Sequence, residues 1–238
     1  MGFILFIVNK LVMKIHITEQ QRSRLFEAMQ DGFSLDTMVA QGTFQRRVDY
    51  CRKMLGMWSG NGSSRVVFDI DDETVLKLAK NKKGIEQNLE EIRLGTEPYF
   101  SSFPRIMNGS DEENGLWIIA ERVLPAKEED FEKVLGMPFS VINEFVWCII
   151  TGGRQGYNKY ADNKRHELYQ KYESNEAVIE LFNDIYELYM GFDNNIVDLR
   201  AIRNWGLCLR NGKPAMVMLD VGLSEDIYNR LYNPTRNR

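Results

Sequence analysis

Between Gly56 and Gly95 the hydrophobic period of the chain changes twice, and this limits the folds open to it. From Thr18 to Leu55 the pattern is helical. "TEQQRSRLFEAMQ" opens on Thr18 as an N-cap, and "SLDTMVAQGTFQRRVDYCRKMLG" places Leu35, Val39, Val48, Cys51 and Leu55 at near-helical spacing before Gly56 ends the run. The next two runs, "SRVVFDI" and "ETVLKLA", are short, β-branched and joined by "DDE", the pattern of a hairpin. In "NKKGIEQNLEEIRLG", Ile85, Leu89 and Ile92 recur every three or four residues, which predicts an amphipathic helix stopped by Gly95. "PRIMNG" and "GLWIIAERVL" then read as two strands around the acidic turn "SDEEN". Strand, strand, helix, strand, strand in this order predicts an α+β fold.

Beyond "LPAKEED" helical periodicity returns. "EEDFEKVLG" predicts a short helix, "SVINEFVWCII" an apolar one, and "SNEAVIELFNDIYELYMG" a long amphipathic one carrying Val178, Leu181, Phe182, Ile185, Leu188 and Tyr189. The intervening "TGGRQGYNKYADNKRHELYQKY" is polar and Tyr-rich and reads as a mobile loop with part of a helix. "WGLCLRNGKPAMVMLDVG" predicts two strands around Asn211-Gly212, a strong hairpin signal. The expected organisation is an N-terminal extension over residues 1–56, helical from about residue 18, a sheet-based lobe over 57–124 and a mainly helical lobe over 125–238, with a hinge from Glu121 to Pro125.

Composition removes several classes of function. The 238 residues are 44% hydrophobic and 27% charged, as in an ordinary globular protein. A net charge of −4 with no dense basic patch argues against nucleic acid as a partner. Cys51, Cys148 and Cys208 are scattered and odd in number, which predicts neither a disulfide framework nor a thiolate metal site and fits a reducing cytoplasm. Two distant histidines, His16 and His166, leave little for a zinc site or a histidine-based triad. The apolar start "MGFILFIVNKLV" is too short to span a bilayer and lacks the basic n-region of a leader, so no membrane role is expected. It reads either as a packed N-terminal strand or as an extension ahead of a start at Met13.

Four groups of residues carry chemistry. In "GMWSGNGSSRVVF", Gly60 and Gly62 have access to positive φ, and Ser63 and Ser64 add hydroxyl donors, so this is either a phosphate cradle or a plain turn before a strand. Lys77 lies on the opposite strand face from Leu76 and Leu78, alongside Val75 and Ala79. It is either an exposed edge lysine or a cation awaiting an anion. The helix that follows offers Glu86, Glu90 and Glu91, of which Glu91 is favoured and Glu90 is the alternative. Finally, Asp198 and Asp220 bracket the C-terminal hairpin, which brings Asn204 and Asp220 to one end. These are hard oxygen ligands suited to Mg²⁺, or a helix cap and a turn residue.

Order and spacing tie the groups together. "GNGSSRVV", "TVLK", "VDLRAIRN" and "DVG" resemble, in sequence order, the Gly-rich loop, the strand lysine, the catalytic loop and the Asp-Phe-Gly of protein kinases, with Arg65 in place of the third glycine. The set "GSSRVVF…VLKLAKNKKGIEQN…NWGL…LDVGL" is similar to uncharacterised kinase-like proteins of bacteriophages and bacteria, over roughly residues 45 to 230. The resemblance implies a two-lobed kinase-like fold in which Gly60, Gly62, Ser63 and Ser64 cover the phosphates of ATP. It further implies that Lys77, held by Glu91, pairs with the α- and β-phosphates and that backbone from Glu121 to Val123 receives adenine. Asp198 would be the catalytic base, and Asn204 and Asp220 the Mg²⁺ ligands.

The sequence departs from the pattern in three places. Ile196-Val197 replaces the catalytic-loop His-Arg, the interval from Asp198 to Asn204 is one residue longer than usual, and sixteen residues follow Gly222. No peptide-docking platform is therefore expected, and the acceptor would be a small molecule, the protein itself or a partner bringing its own contacts. The alternative is a pseudokinase or a phage accessory or structural protein that acts through protein–protein interaction, and a cleft blocked by Trp58 or the N-terminal extension would favour the accessory or structural case. In either reading the expected location is the cytoplasm, that of a bacterial host if the protein is phage-encoded.

Overall fold

A computed structural model describes residues 32–96, 100–110, 114–152, 158–210 and 212–219. The chain is mixed α+β and divides into two compact units, one of residues 1–97 and 105–122 and the other of 98–104 and 123–238. The segment 1–12, Thr18, Asn211 and Asp220 lie outside the described residues.

The first unit is built on a five-stranded antiparallel sheet. Its strands are β1 (Gly60–Asn61), β2 (Arg65–Asp69), β3 (Thr74–Ala79), β4 (Ile106–Gly109) and β5 (Trp117–Glu121), in the order β1-β2-β3-β5-β4. Asp71 makes the β2–β3 turn, its Oδ1 accepting the N–H groups of Glu73 and Thr74 at 2.7 Å. Every residue of β3 is buried, so the sheet is covered on both faces.

Helices α1 (Leu35–Ala40) and α2 (Phe44–Leu55) supply one cover. Their Leu35, Met38, Val48 and Cys51 join Val66, Phe68, Leu76, Leu78, Trp117 and Ile119 in one apolar cluster. The predicted helical run is broken at Gly42, whose φ is +74°, and Thr43 caps the second helix by accepting the Arg46 N–H. In the first helix Leu35 and Met38 are buried, whereas Val39, which the spacing groups with Leu35, is 39% exposed.

Helix α3 (Lys82–Thr96) covers the other face, where Ile92 packs with Val75, Ile106, Ile118 and Ala120. Asn81 caps it, its Oδ1 accepting the Gly84 N–H at 3.2 Å. Gly84 permits the close seat, since a Cβ there would lie 2.2 Å from the Ser64 carbonyl oxygen. Gly95, predicted to stop this helix, is inside it. A Cβ at Gly95 would lie 2.4 Å from Ile106 Cγ1, so the glycine serves contact with β4 and not termination.

The second unit contains α4 (Glu128–Leu135), α5 (Phe139–Gly152), α6 (Lys159–Lys171), α7 (Glu176–Met190) and a three-stranded sheet of β6 (Leu124–Pro125), β7 (Trp205–Arg210) and β8 (Lys213–Met218). Its core places Phe145 of α5 against Phe182 of α7, stacked at 3.9 Å. The predicted Tyr-rich loop is mostly the helix α6, capped by the Asn158 side chain. Only Ala161 and Leu168 of α6 are buried, so no apolar stripe announces it. Pairs such as Asp162–Arg165 and Lys164–Glu167, three residues apart, support it instead.

Cys51, Cys148 and Cys208 are all free and buried. Burial pushes the Cys51 and Cys148 thiols up to about 12 and about 11. Among the described residues no single helix is long and apolar enough to cross a membrane. Only α4 and α5 taken together pass that test, and they are bent by 89°.

Candidate functional site

The hydrogen-bond register of the sheet sets the first group of side chains. Arg65 pairs with Ala79 and Val67 with Lys77, while Lys77 faces Ile118 on its other side. Alternation therefore puts Arg65 and Lys77 on the same face, the one covered by α3. Leu76 and Leu78 point into the apolar cluster under α1 and α2. Trp58 packs against that cluster as well, and so do the described extension helices, which leaves the Lys77 face to α3.

On that face Lys77 is buried and its Nζ donates to Glu91 Oε2 at 2.7 Å. The Arg65 guanidinium donates to Glu91 Oε1 at 2.6 Å and to Asn88 Oδ1 at 3.3 Å. Each carboxylate oxygen thus meets one cation. Asn88, fully buried, passes the chain on by donating from Nδ2 to the Gly115 carbonyl at 2.8 Å. Burial drives the Glu91 carboxyl up, but the charges of Arg65 and Lys77 and their hydrogen bonds outweigh it and hold it below the ordinary carboxylate range. Glu90, the alternative partner, faces Arg93 on its own helix, with Oε2 accepting the Arg93 Nε–H at 3.0 Å.

The Gly-rich turn differs from its predicted form. Neither Gly60 nor Gly62 is among the glycines with positive φ. Gly60 and Asn61 instead pair with Val67 and Val66 as a short strand. Ser64 is not a free donor either: it is buried, and its hydroxyl donates to Gln87 Oε1 on α3 at 2.5 Å. What holds the turn is the end of β3. Lys80 Nζ donates to Asn61 Oδ1 and to the Gly62 carbonyl, and Asn81 Nδ2 donates to the Ser63 carbonyl at 3.3 Å. Because a trans peptide plane opposes its C=O and N–H, engagement of the Gly62 carbonyl turns the Ser63 N–H to the other side, on an exposed residue.

At the end of β5 the predicted adenine contacts are partly consumed. Glu121 is buried, its N–H donates to the Arg105 carbonyl at 2.8 Å, and its carboxylate accepts the Arg105 N–H at 3.1 Å. The Arg122 N–H donates to the Glu73 carbonyl at 2.6 Å. Backbone donors at these two positions therefore serve the sheet. Val123, the remaining residue of the predicted stretch, is half-buried.

In the second unit, residues 197–204 form two single-turn 3₁₀ helices, Val197–Arg200 and Ile202–Asn204. Asp198 is exposed, and its backbone carbonyl accepts Asn204 Nδ2 at 2.7 Å. Asn204 is buried, so its amide nitrogen is spent on loop shape while its Oδ1 remains the atom suited to a cation. Trp205 locks the same loop by donating from Nε1 to the Leu199 carbonyl at 2.7 Å and packing edge-on against Phe131. Ile196, at the position of the expected histidine, is fully buried, whereas Val197 is 49% exposed.

The β7–β8 register places Trp205 opposite Met218, and the Leu219 N–H donates to the Asn204 carbonyl at 2.8 Å. Asn204 is thereby brought beside the residue preceding Asp220. Among the described residues no three Asp, Glu, His or Cys side chains converge as a metal site. An open groove of about 570 Å³ at the starts of α4 and α5 includes none of the predicted site residues, and its rim of Glu128, Glu129 and Glu132 disfavours a polyphosphate.

Sequence reasoning missed Lys80, Asn81 and Gln87 as the residues that shape the Gly-rich turn. Lys80 and Asn81 directly follow β3 and Gln87 lies within α3, places where polar residues are ordinary. Arg65 carried a visible signal, a cation two register positions from Lys77 on a strand with buried neighbours. No family model matches the chain, and no curated protein matches it.

Proposed function

We propose that the protein is a compact two-lobed kinase-like phosphotransferase that binds Mg·ATP. The observation that carries this reading is the buried Lys77–Glu91 pair at 2.7 Å, formed by the strand lysine and helix glutamate that the sequence pattern singles out. A lysine fixed by a buried carboxylate holds its positive charge at a set place on the sheet, which suits the α- and β-phosphates of a nucleotide. The Ser63 N–H and hydroxyl supply neutral donors from the exposed turn.

Asp198, exposed on its 3₁₀ turn, would accept the proton of the acceptor group, with its backbone fixed by Asn204. Asn204 Oδ1 and the Asp220 carboxylate would hold Mg²⁺, whose role when bound is to neutralise phosphate charge. The oxygen donor set fits that ion. The residues of the chain itself then act by positioning and by charge, without a covalent intermediate.

Nucleotide binding without transfer, as in a pseudokinase that acts on a protein partner, is the second reading. It is favoured by buried Ile196 in place of a histidine and by the occupied N–H groups of Glu121 and Arg122. Transfer of radiolabelled γ-phosphate, to the protein or to a panel of small-molecule acceptors, separates the two. The first reading expects transfer by the wild type and its loss in Asp198→Ala and Asp220→Ala. Mg·ATP binding with no transfer in any assay selects the second, and no binding at millimolar Mg·ATP removes both.

A further inference from the structure

The Glu91 carboxylate is held from two sides, and the second side is the departure from the kinase pattern. Lys77 occupies Oε2 and Arg65, standing where the third glycine of the loop would be, occupies Oε1. The terminal torsion of a glutamate is broad and roughly two-fold, so a single cation leaves the carboxylate plane free to turn. A second charged donor on the other oxygen fixes the plane and aims Oε2 at Lys77. The guanidinium is itself fixed by Asn88, whose amide is anchored on Gly115.

Arg65 also joins the turn to the helix. It begins β2 directly after Ser64, and Ser64 donates to Gln87 one helical turn before Glu91. Gly84 seats the start of the helix on the Ser64 carbonyl. The Gly-rich turn, β2 and α3 are therefore tied at three successive points, and each tie lies within the first unit.

We propose that Arg65 is a positioning residue that clamps Glu91 onto Lys77, so that the pair stays assembled without an activating partner or a covalent modification. The consequence for nucleotide rests on the phosphotransferase reading above; the clamp itself does not. Arg65 acts through Glu91 and needs no contact with substrate.

The test uses the full-length protein labelled with ¹⁵N and no nucleotide. The side-chain ammonium of Lys77, slowed in exchange by its bond to Glu91, gives a resonance in the wild type that is assigned by its loss in Lys77→Ala. The clamp predicts loss of this resonance in Arg65→Ala with an unchanged circular dichroism spectrum, and its return in Arg65→Lys. Calorimetric titration with Mg·ATP should weaken about tenfold in Arg65→Ala, the scale of one charge-assisted hydrogen bond, and recover in Arg65→Lys. If Arg65→Ala fails to fold, Arg65→Met keeps the apolar stem and carries the same test.

A Lys77 resonance that persists in Arg65→Ala overturns the proposal, as does equal loss in Arg65→Ala and Arg65→Lys. Loss of the resonance in Arg65→Ala from a wild type that binds no Mg·ATP supports the clamp and refutes the nucleotide reading instead.

Discussion

Both faces of strand β3 are buried, but only one of them carries a charge. One presents Leu76 and Leu78 to an apolar cluster closed by α1 and α2, and the other presents Lys77 to a carboxylate on α3. A period of two residues thus separates stability from chemistry within a single six-residue strand. The apolar face derives its strength from removal of surface from water and tolerates no vacancy, whereas the polar face is stable only while its charges match. Substitutions on the two faces should therefore differ in kind.

The largest expected effect is on the apolar face. Phe68 is fully buried in that cluster, and Phe68→Ala should cost about 3–5 kcal/mol in urea denaturation. Nucleotide affinity of the folded fraction should be unchanged. On the polar face, Glu91→Ala leaves two cations facing each other and should cost about 3 kcal/mol, the lower end for broken buried pairs because the cluster keeps slight exposure. In this variant Mg·ATP binding should fall with stability. Equal loss of binding in both variants would erase the distinction between the faces.

A smaller effect compares a carboxylate held by charges with one held by neutral donors. Glu91 is kept below the ordinary carboxylate range, so its contribution to stability is complete above that range and is lost as pH falls through the depressed value. Asp184 of α7 is the opposite case. Burial pushes its carboxyl up by more than the hydrogen bonds from Ser102 and Ser101 lower it. Its contribution is therefore complete below the ordinary range and is lost as pH rises through the raised value. Denaturation across pH should show a reduced acid-side slope in Glu91→Gln and a reduced decline on the rising side in Asp184→Asn.

Legibility followed the strength of local periodicity. The β2–β3 hairpin, α3 and the β7–β8 hairpin were readable because alternation or a three-to-four spacing ran without interruption through each. Helix α6 was readable only in part, since its stability comes from a cap and charged pairs and leaves no apolar stripe. Residues 35–55 read as one helical pattern because spacings of three or four residues occur on both sides of Gly42, although the chain turns there.

At the candidate site, strand phase asked an anion of Lys77, but helix position left Glu90 open beside the favoured Glu91, which is the partner observed. The state of the Gly-rich turn was not: Ser64 is drawn inward by Gln87 and the turn carbonyls by Lys80 and Asn81, contacts that span some twenty residues and leave no local signature. The fate of the Glu121 and Arg122 amides was hidden for the same reason, since their partners Arg105 and Glu73 are set by tertiary pairing.

The central claim is that Lys77, held by Glu91, receives the phosphates of Mg·ATP. Thermal or denaturant stability with and without Mg·ATP, in the wild type and in Lys77→Ala, tests it directly. Ligand at about a hundred times its dissociation constant should add roughly 2.7 kcal/mol to the wild type and nothing to Lys77→Ala. Equal stabilisation of both proteins, or of neither, would contradict the account.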